Sequence, residues 1–592
     1  MSINTTKHDE NITYASKRRT ILRLLSYLKD YKGRIVLILF LMFLCVGVEV
    51  LNPIIIETAL DHYILPHDYA GLIRLAILAI VLNLLLIICV RIRMLMMAKI
   101  SNRLVITIRN ELYSHIQTLD LQFFDSRPIG KILSRVMGNI NSLKDVLSNT
   151  ITTLIPDLLT ILAVLIIMLV KNPLLAVGGM VSLPLLLGGS LYIEIKSHKR
   201  WQINNQKSSN MLAFIHEDLA GIRVIQGFGA EAETTKTFDK LCEEDRDSFM
   251  DAVRYNDGYS SLCNICFVLG LIGMYVMGFY VLGPSKISVG LFLAFGTYIS
   301  MFWQPIINLS SFYTQLVTNL SSAERIFEII DTEPKIQDRA DVLPLPEITG
   351  CVDFEHVSFS YDENTKVLSD VSFHIQPSET IALVGPTGAG KTTIVNLISR
   401  FYDIQEGSVR IDGYDVRDVS IESLRKQLGI MTQDNFLFSG TIMENIRYGR
   451  LDATDEDVIE AAKLVNAHEF IIKLKDGYQT ELSERGGGLS IGQKQLLAFA
   501  RTMISRPKIL ILDEATSSID THTELLVQKG IEALLHGRTS FVIAHRLSTI
   551  QKADRIFVID HGGIVEQGSP AELMQKKGAY YDLYTAQFKD VI

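Results

Sequence analysis

Hydrophobic and polar positions divide the chain into two parts. Within the first 320 residues, apolar runs are long enough to cross a hydrocarbon layer of about 30 Å as helices. Six such runs can be placed, at 34–61, 71–96, 148–171, 173–195, 259–282 and 288–313. From residue 351 onward the pattern changes to short strands, such as VDFEHVSFSY and TIALVG. The sequence therefore predicts an all-α membrane domain of six helices followed by an α/β domain.

The connections between the predicted spans alternate in length. Those after the first, third and fifth spans are very short, whereas those after the second and fourth are long and have helical periodicity. The N-terminal segment and the long loops are rich in Lys and Arg, while the short loops offer only Arg74, Lys171 and Lys286. By the positive-inside rule, both termini and the long helical loops are cytoplasmic. We therefore expect a multi-pass plasma membrane protein whose C-terminal domain shares its compartment with ATP.

Charge and cysteine distribution argue against a nucleic-acid-binding protein and against a disulfide-stabilised one. The net charge is -8, and no basic stripe interleaved with aromatic residues points to nucleic acid. The six cysteines are scattered, mostly in apolar segments, so a structural disulfide is not expected. Cys263 and Cys266 form a CxxC inside an apolar run, without the second ligand pair that a zinc site would need, and are predicted to be packing residues.

Two features of the spans leave alternatives open. Phe295, Tyr298 and Phe302 share one face of the sixth span and could form an aromatic wall for an apolar ligand or a helix-packing surface. Asp157 follows Pro156 inside the third span, where an ionisable residue is costly in lipid and suggests a transport pathway. A position at headgroup level, where water reaches the carboxylate, is the plainer explanation for such residues.

A glycine-rich stretch, GPTGAGKTT, follows the apolar strand TIALVG and precedes a helical pattern. This strand–loop–helix context makes GxxxxGK[ST] a phosphate-binding site, because glycines let successive N–H groups and the helix N-terminus face an anion. Lys391 is predicted to reach the β- and γ-phosphates of ATP, and Thr392 to supply a hydroxyl to Mg²⁺. The residues predicted to bind nucleotide are Gly385, Pro386, Thr387, Gly388, Ala389, Gly390, Lys391, Thr392 and Thr393.

A second apolar strand, KILILDE, ends in two carboxylates. Asp513 is predicted to hold the Mg²⁺ shell, while Glu514, one residue further, can polarise an attacking water. Phosphoryl transfer needs a positioned water and charge neutralisation more than covalent chemistry. The sequence therefore predicts that ATP hydrolysis depends on Glu514.

Four motifs, GPTGAGKTT, LSIGQ, ILILDEATSSID and IAHRLS, occur in this order behind the six spans. With them the chain resembles a half-transporter of the ATP-binding cassette (ABC) exporter type over almost its whole length. FFDSRPIGKILSRV (123–136) and HEDLAGIRVIQGFGAE (216–231) resemble the two intracellular loops, which in the family end in short coupling helices that dock on the cassettes. The resemblance implies a transmembrane domain with long intracellular helical extensions, joined to a P-loop NTPase cassette.

The resemblance also implies roles for single residues. Tyr361 corresponds to the aromatic residue that stacks on adenine, and Gln433 to the glutamine that senses Mg²⁺ and the attacking water. Asp520 matches the loop that contacts the partner cassette, and His545 the switch histidine that meets the γ-phosphate. Taken alone, these residues also fit a strand aromatic, a polar turn, a helix cap and a strand-end histidine, respectively.

One position departs from the family pattern. In the family two cassettes enclose two ATP molecules, each between the P-loop of one chain and the signature turn, usually LSGGQ, of the other. Ser490, Gly492 and Gln493 fit this turn, but Ile491 replaces its first glycine and adds a Cβ that crowds close approach. Because Glu514 is retained together with His545, we expect a heterodimer whose partner has an intact signature and a degenerate catalytic residue. Neutral drift in a homodimer is the alternative.

The resemblance implies ATP-driven export of amphipathic small molecules, drugs or lipids, by alternating access, with ATP and Mg²⁺ as cofactors. A peptide or bacteriocin exporter and a homodimeric lipid flippase are the alternatives, since members of one architecture move unrelated molecules. The expected division is a cytoplasmic segment with an elbow helix at 1–33, the transmembrane domain at 34–318, a linker at 319–348 and the nucleotide-binding domain at 349–592.

Overall fold

The computed structural model describes residues 17–592 except 128, 284–286, 340, 362–364, 433–434, 484–485, 515–520, 545–546 and 589–592. Gln433, Asp520 and His545 therefore lie outside the described residues, and only the backbone of Glu514 is described. The chain forms two compact units. The first takes in the described residues up to Gln117 together with Ile129–Thr332, and the second takes in Thr118–Pro128 and Glu333–Ile592.

The first unit is entirely helical where it is described. Its helices are α1 (Lys17–Ser26), α2 (Lys32–Thr58), α3 (Tyr69–Ile116), α5 (Ile129–Ser134), α6 (Ile140–Asn149), α7 (Ile155–Lys171), α8 (Pro173–Gly179), α9 (Leu183–Ala220), α10 (Ile222–Phe228), α11 (Glu231–Val276) and α12 (Val289–Ile330). Short π-helical turns at Ala59–Ile64, Arg135–Asn139, Thr150–Leu154 and Met277–Leu282 extend or join them. The short helix α4 (Leu121–Asp125) belongs to the second unit.

Six helical segments of the described chain are long and apolar enough to cross a membrane, which confirms the predicted spans. They are Lys29–Ile64, Tyr69–Ile116, Val136–Lys171, Pro173–Ala220, Glu231–Leu282 and Val289–Leu309. At 1.5 Å per residue, the 48 residues of α3 reach about 70 Å, more than twice the hydrocarbon thickness. The predicted loop helices are thus continuous with the membrane helices. The sixth helix likewise continues to Ile330, into the segment predicted as a linker; the domain boundaries remain a proposal.

The aromatic face of α12 is part of the packed core of the first unit. Phe295 and Tyr298 are fully buried, and Phe302 is only 6% exposed. The Tyr298 hydroxyl donates a hydrogen bond to the Val50 carbonyl, 3.0 Å away, which ties α12 to α2. These contacts favour helix packing over a ligand-facing wall. Cys263 and Cys266 are buried free thiols in the same core, as expected of packing residues.

The described residues of the second unit form three sheets, of six, four and two strands. Its strands are β1 (Val352–Ser360), β2 (Lys366–Ile375), β3 (Thr380–Val384), β4 (Glu406–Ile411), β5 (Tyr414–Asp415), β6 (Leu428–Met431), β7 (Gly440–Thr441), β8 (Glu481–Leu482), β9 (Ile509–Glu514), β10 (Thr539–Ala544), β11 (Arg555–Asp560) and β12 (Gly563–Gly568). Besides α4, its helices are α13 (Lys391–Ile398), α14 (Ile421–Lys426), α15 (Ile442–Arg447), α16 (Asp455–Leu464), α17 (His468–Ile471), α18 (Ile491–Ile504), α19 (Thr521–Leu535), α20 (Leu547–Gln551), α21 (Pro570–Lys576) and α22 (Ala579–Phe588).

Strand order places the motifs at one edge of the six-stranded sheet. That sheet runs β12-β11-β3-β10-β9-β6, and β11, β3, β10, β9 and β6 are mutually parallel. The phosphate loop follows β3, the position of His545 follows β10, and the two carboxylates end β9. Because parallel strands carry their carboxyl ends to the same edge, three motifs that are distant in sequence converge there. A second, antiparallel sheet, β2-β1-β4-β5, lies beside it.

Candidate functional site

The phosphate loop joins β3, which is buried along nearly all its length, to the N-terminus of α13. Gly385, Gly388 and Gly390 all have positive φ, at 147°, 85° and 108°. At Gly385 a Cβ would lie 2.1 Å from the Ile559 carbonyl oxygen, so only glycine fits. At Gly388 a Cβ would meet no atom within 4 Å, so there the requirement is conformational. The loop therefore has the backbone geometry that the sequence predicts.

Lys391 begins α13 and is only 8% exposed. Its ammonium group donates hydrogen bonds to the carbonyls of Gly385 and Pro386, both at 2.8 Å, so it lies across the loop that it belongs to. Burial lowers the pKa of Lys391, and the carboxylate of Asp513 acts in the opposite direction. The cation is thus held at the loop, where phosphate oxygens would take the place of the carbonyls as partners.

The oxygen donors predicted for Mg²⁺ lie on α13 and β9. Thr392 is exposed at the second position of α13, and Asp513 is half-buried at the penultimate position of β9. A hydroxyl and a carboxylate suit a hard divalent cation. The Asp513 carboxylate also acts to raise the pKa of Lys391, the residue before Thr392. Glu514 ends β9, where it is paired with Ala544 of β10.

Tyr361 lies at the end of β1, next to the phosphate loop. Its hydroxyl is 3.1 Å from the hydroxyl of Thr393, on the first turn of α13. The ring meets the edges of Phe359 and Tyr402, and 37% of the residue remains exposed. A cavity of about 810 Å³ opens beside it. An aromatic base could stack on the exposed part of this ring, as the family resemblance implies.

The signature turn forms the N-terminus of α18. Ser490 is the N-cap: its hydroxyl accepts from the backbone N–H of Gln493 at 3.2 Å, and the Gln493 side chain accepts from the Ser490 N–H at 2.9 Å. Ile491 is the first residue of the helix, and 51% of it is exposed. Gly492 is buried. The isoleucine therefore fits its own chain without strain, and its bulk is presented to whatever approaches the turn from outside.

Comparison with known proteins agrees with this arrangement. The model of the ABC transporter transmembrane region matches residues 35–306, and that of the ABC transporter cassette matches residues 368–517. The ABC transporter ATP-binding protein YknV of Bacillus subtilis is 42% identical, over 96% of this chain and 95% of its own. This chain belongs to the ABC exporter family.

Two further relatives and one solved structure extend the match of this half-transporter. A fatty acid ABC transporter ATP-binding/permease protein of Mycobacterium tuberculosis is 38% identical, over 88% of this chain and 82% of its own. A protein of Staphylococcus aureus named for multidrug export is 36% identical, over 96% and 100%. The structure of a bacterial Atm1-family ABC exporter with ATP bound superimposes with a TM-score of 0.80 and 28% identity, covering 94% of this chain and 98% of that one.

Family membership establishes the general activity of the half-transporter. It is a multi-pass plasma membrane protein with a cytoplasmic ATP-binding cassette, and it couples ATP hydrolysis to transport. ABC exporters act as dimers in the membrane, so the half-transporter works with a second copy or a second chain.

The short helix α4, which the family resemblance identifies with a coupling helix, packs within the second unit. Asp120 caps α4 through the Phe123 N–H at 3.0 Å and also accepts from the Lys335 N–H at 2.8 Å. The Gln122 amide donates to the Tyr361 carbonyl at 3.2 Å. Sequence analysis identified this loop by resemblance, but it did not predict which side chains make the contact.

Tyr402 forms a hydrogen bond with the C-terminal end of α4. Its hydroxyl donates a short hydrogen bond to the carboxylate of Asp125, the last residue of α4. Burial and this carboxylate raise the pKa of Tyr402 well above its ordinary value, so it remains a donor throughout the physiological range. An aromatic residue eleven positions after the P-loop lysine carries no motif, and only the fold shows its role.

Arg501 is a second residue that sequence analysis missed. It lies in α18, and its guanidinium donates to the carbonyls of Asn445 and Phe436, both at 2.8 Å, and to the Asn445 side chain at 2.9 Å. Burial lowers its pKa. These bonds tie the helix that begins with the signature turn to the segment that follows Gln433. An arginine on the apolar side of α18 was the available signal.

The two loop glycines allow a matched test. Gly388→Ala is expected to cost about 1–2 kcal/mol of stability, because it adds only a side chain at positive φ. Gly385→Ala must in addition displace the loop from the Ile559 carbonyl. We therefore expect Gly385→Ala to lose one charge-assisted bond to phosphate. That loss corresponds to about 10- to 100-fold weaker ATP binding than in Gly388→Ala. Thermal unfolding and binding of a fluorescent ATP analogue measure both effects; equal ATP affinities for the two variants would contradict this reading.

Proposed function

We propose that this half-transporter exports amphipathic small molecules, drugs or lipids, as one half of a heterodimer with a single fully active ATP site. Its own P-loop would pair with the intact signature turn of a different chain. Its altered turn would cover the nucleotide of that chain. That nucleotide would stay bound and would be hydrolysed only slowly. ATP would draw the cassettes together and drive alternating access, because it binds the closed state more tightly.

The observation that carries this proposal is the position of Ile491. Its side chain is half exposed at the first position of α18, directly after the capping serine that faces the partner's nucleotide in this family. A branched side chain there limits how closely a phosphate can approach the helix N-terminus. Since Glu514 and the phosphate loop are retained, the weakening falls on the partner's site and not on this chain's own.

At the chain's own site, the residues would have separate tasks. Lys391 and the loop N–H groups would bind the phosphates, and Tyr361 would stack on the base. Thr392 and Asp513 would hold Mg²⁺, together with Gln433, and the bound ion would neutralise phosphate charge. Glu514 would take a proton from the attacking water, His545 would contact the γ-phosphate, and Asp520 would face the other cassette.

The proposed substrate class follows the names of two relatives. The names of the M. tuberculosis and S. aureus relatives refer to a fatty acid and to multidrug export. Both names are compatible with amphipathic cargo taken from the membrane. A peptide substrate is the second candidate, and a peptide precursor encoded beside the gene would favour it. Uptake of labelled fatty acids, dyes and peptides into inverted vesicles separates these outcomes.

The contacts of α4 support a route by which nucleotide state reaches the membrane domain. Gln122 is bonded to the residue proposed to stack on adenine, and Tyr402 touches both that residue and Asp125. Movement of Tyr361 on nucleotide binding would therefore displace α4 through these contacts. The proposed transport cycle needs such a connection.

Purification of the chain alone and together with a half-transporter encoded in the same operon tests the heterodimer. The pair is expected to hydrolyse ATP at least about ten-fold faster, equivalent to about 1.4 kcal/mol of transition-state stabilisation. In the chain alone, both sites of any homodimer contain Ile491, so Ile491→Gly should raise its turnover, and Ile491→Ala should raise it less. Full stimulated activity of the wild-type chain alone would contradict the proposal, as would a slow chain that Ile491→Gly does not improve.

A further inference from the structure

Three side chains with metal-binding atoms converge on the outer face of the antiparallel sheet. Asp353 in β1 and His374 in β2 are direct cross-strand partners. Cys351 lies two residues before Asp353, with its sulfur next to both side chains. Their neighbours Val352 and Phe354 point into the core. One sulfur, one imidazole nitrogen and one carboxylate oxygen all lie within 4.8 Å of one another. Sequence analysis did not identify the group, since Cys351 and His374 are far apart in the chain.

The two separations from the Cys351 sulfur are close to those of a tetrahedral zinc site. The Cys351 sulfur is 3.9 Å from Nδ1 of His374 and 3.7 Å from a carboxylate oxygen of Asp353. Bonds of about 2.3 Å to sulfur and about 2.0–2.1 Å to nitrogen place such ligands about 3.6 Å apart. Nδ1 of His374 and the other Asp353 oxygen now share a short hydrogen bond. An ion would replace the proton between them and leave a fourth position open.

Surrounding groups hold these ligands in place. The carboxylate of Asp412 accepts from the backbone N–H of Cys351 at 2.7 Å and of Gly350 at 3.1 Å, which fixes the start of β1. The other ring nitrogen of His374 lies 3.3 Å from the amide group of Gln376. The atom at that distance is the amide nitrogen, so the amide must rotate by 180° for its oxygen to accept the Nε2–H and leave Nδ1 unprotonated for an ion. Metal sites typically have such outer partners.

The charge around the cluster favours a cation. The carboxylate of Asp353 belongs to the cluster, and that of Asp412 accepts a hydrogen bond from the backbone N–H of Cys351. Arg410 is the cross-strand neighbour of Asp353 on β4, but its guanidinium lies 3.6 Å from the Glu355 carboxylate. Arg555 donates to the His374 carbonyl and lies 3.4 Å from Glu379.

We propose that Cys351, Asp353 and His374 form a binding site for a borderline-soft divalent transition metal such as Zn²⁺. Sulfur and imidazole ligands select against Mg²⁺ and Ca²⁺, which prefer oxygen. The site is separate from the nucleotide site, because His374 and Gln376 lie before the start of β3 and the phosphate loop follows its end. The proposal therefore does not depend on the proposed transport function.

Cobalt(II) spectroscopy on the full chain tests the site. The protein is purified in detergent without a polyhistidine tag, stripped with a chelator and titrated with Co²⁺ and then Zn²⁺, in the absence of nucleotide. A thiolate-to-cobalt charge-transfer band with one equivalent per chain is expected, and Zn²⁺ should abolish it. Cys351→Ser should eliminate the band, and His374→Gln should weaken binding about 100-fold. Gln376→Ala, which leaves all three ligands in place, should weaken it about ten-fold.

Cys242→Ser is the matched control, since Cys242 is a free, partly exposed thiol in the other unit. It should leave the band unchanged. Circular dichroism of the stripped variants shows whether each has folded. Absence of a band in wild-type protein, or a band that persists in folded Cys351→Ser protein, would overturn the proposal.

Discussion

Glu514→Gln is expected to lower ATP turnover of the co-expressed transporter by about 100- to 10,000-fold, the contribution of a positioned general base. The amide has nearly the same shape as the carboxylate but cannot accept the proton of the attacking water. Glu514 ends β9, at the edge of the sheet where the phosphate loop follows β3. The neighbouring carboxylate, Asp513, is assigned to Mg²⁺ and is not expected to replace Glu514 as the base. Steady-state phosphate release measures the loss.

The same substitution should leave ATP binding intact. Bound ATP then holds the cassettes together, and we expect a closed dimer that retains labelled ATP through gel filtration. Glu460→Gln is a matched control, because Glu460 is exposed on α16, away from the sheet edge. Undiminished turnover in Glu514→Gln would show that a different residue acts as the base.

Lys391→Ala is expected to reduce turnover by about 100- to 1,000-fold, the usual cost of removing one donor from a preorganised oxyanion site. The substitution removes two kinds of contact. The phosphates lose a cation, and the carbonyls of Gly385 and Pro386 lose the ammonium group that bridges them. Unlike Glu514→Gln, this substitution should also weaken ATP binding, so no trapped dimer should form.

Two variants sharpen the lysine test. Lys391→Arg retains the charge but, with its larger planar group in a buried position, should recover only part of the activity. Lys426→Ala removes an exposed lysine on α14 that pairs with Glu422, and should behave as wild type. Retained high-affinity ATP binding in Lys391→Ala would refute the role assigned to the lysine.

Local features of the sequence are sufficient to predict much of the architecture. Six spans follow from apolar length, and their orientation follows from the lysines and arginines of the loops, because both depend on transfer from water to lipid and not on packing. The phosphate loop follows from its glycines and its strand–loop–helix context. The structure confirms the six helical spans, and the loop glycines have the positive φ that this motif needs.

Long-range contacts were beyond such reasoning. The aromatic face of α12 could line a pathway or pack, and its burial against α2 decided for packing. The bonds from Tyr402 to Asp125 and from Arg501 to Phe436 join residues with no shared motif. Sequence spacing does not encode these pairs, because each depends on how separate elements are brought together.

The sequence by itself determined which chemistry the chain carries: a membrane domain, a phosphate loop, a terminal pair of carboxylates and a signature turn with an isoleucine. Only the tertiary structure decided where that chemistry lies. Parallel pairing of β3, β10 and β9 brings the motifs to one edge, and helix capping by Ser490 turns Ile491 outward. Antiparallel pairing of β1 and β2 sets Cys351 and Asp353 beside His374. The physical reason is the same in each case, since strand pairing and capping fix side-chain direction only after the chain has folded.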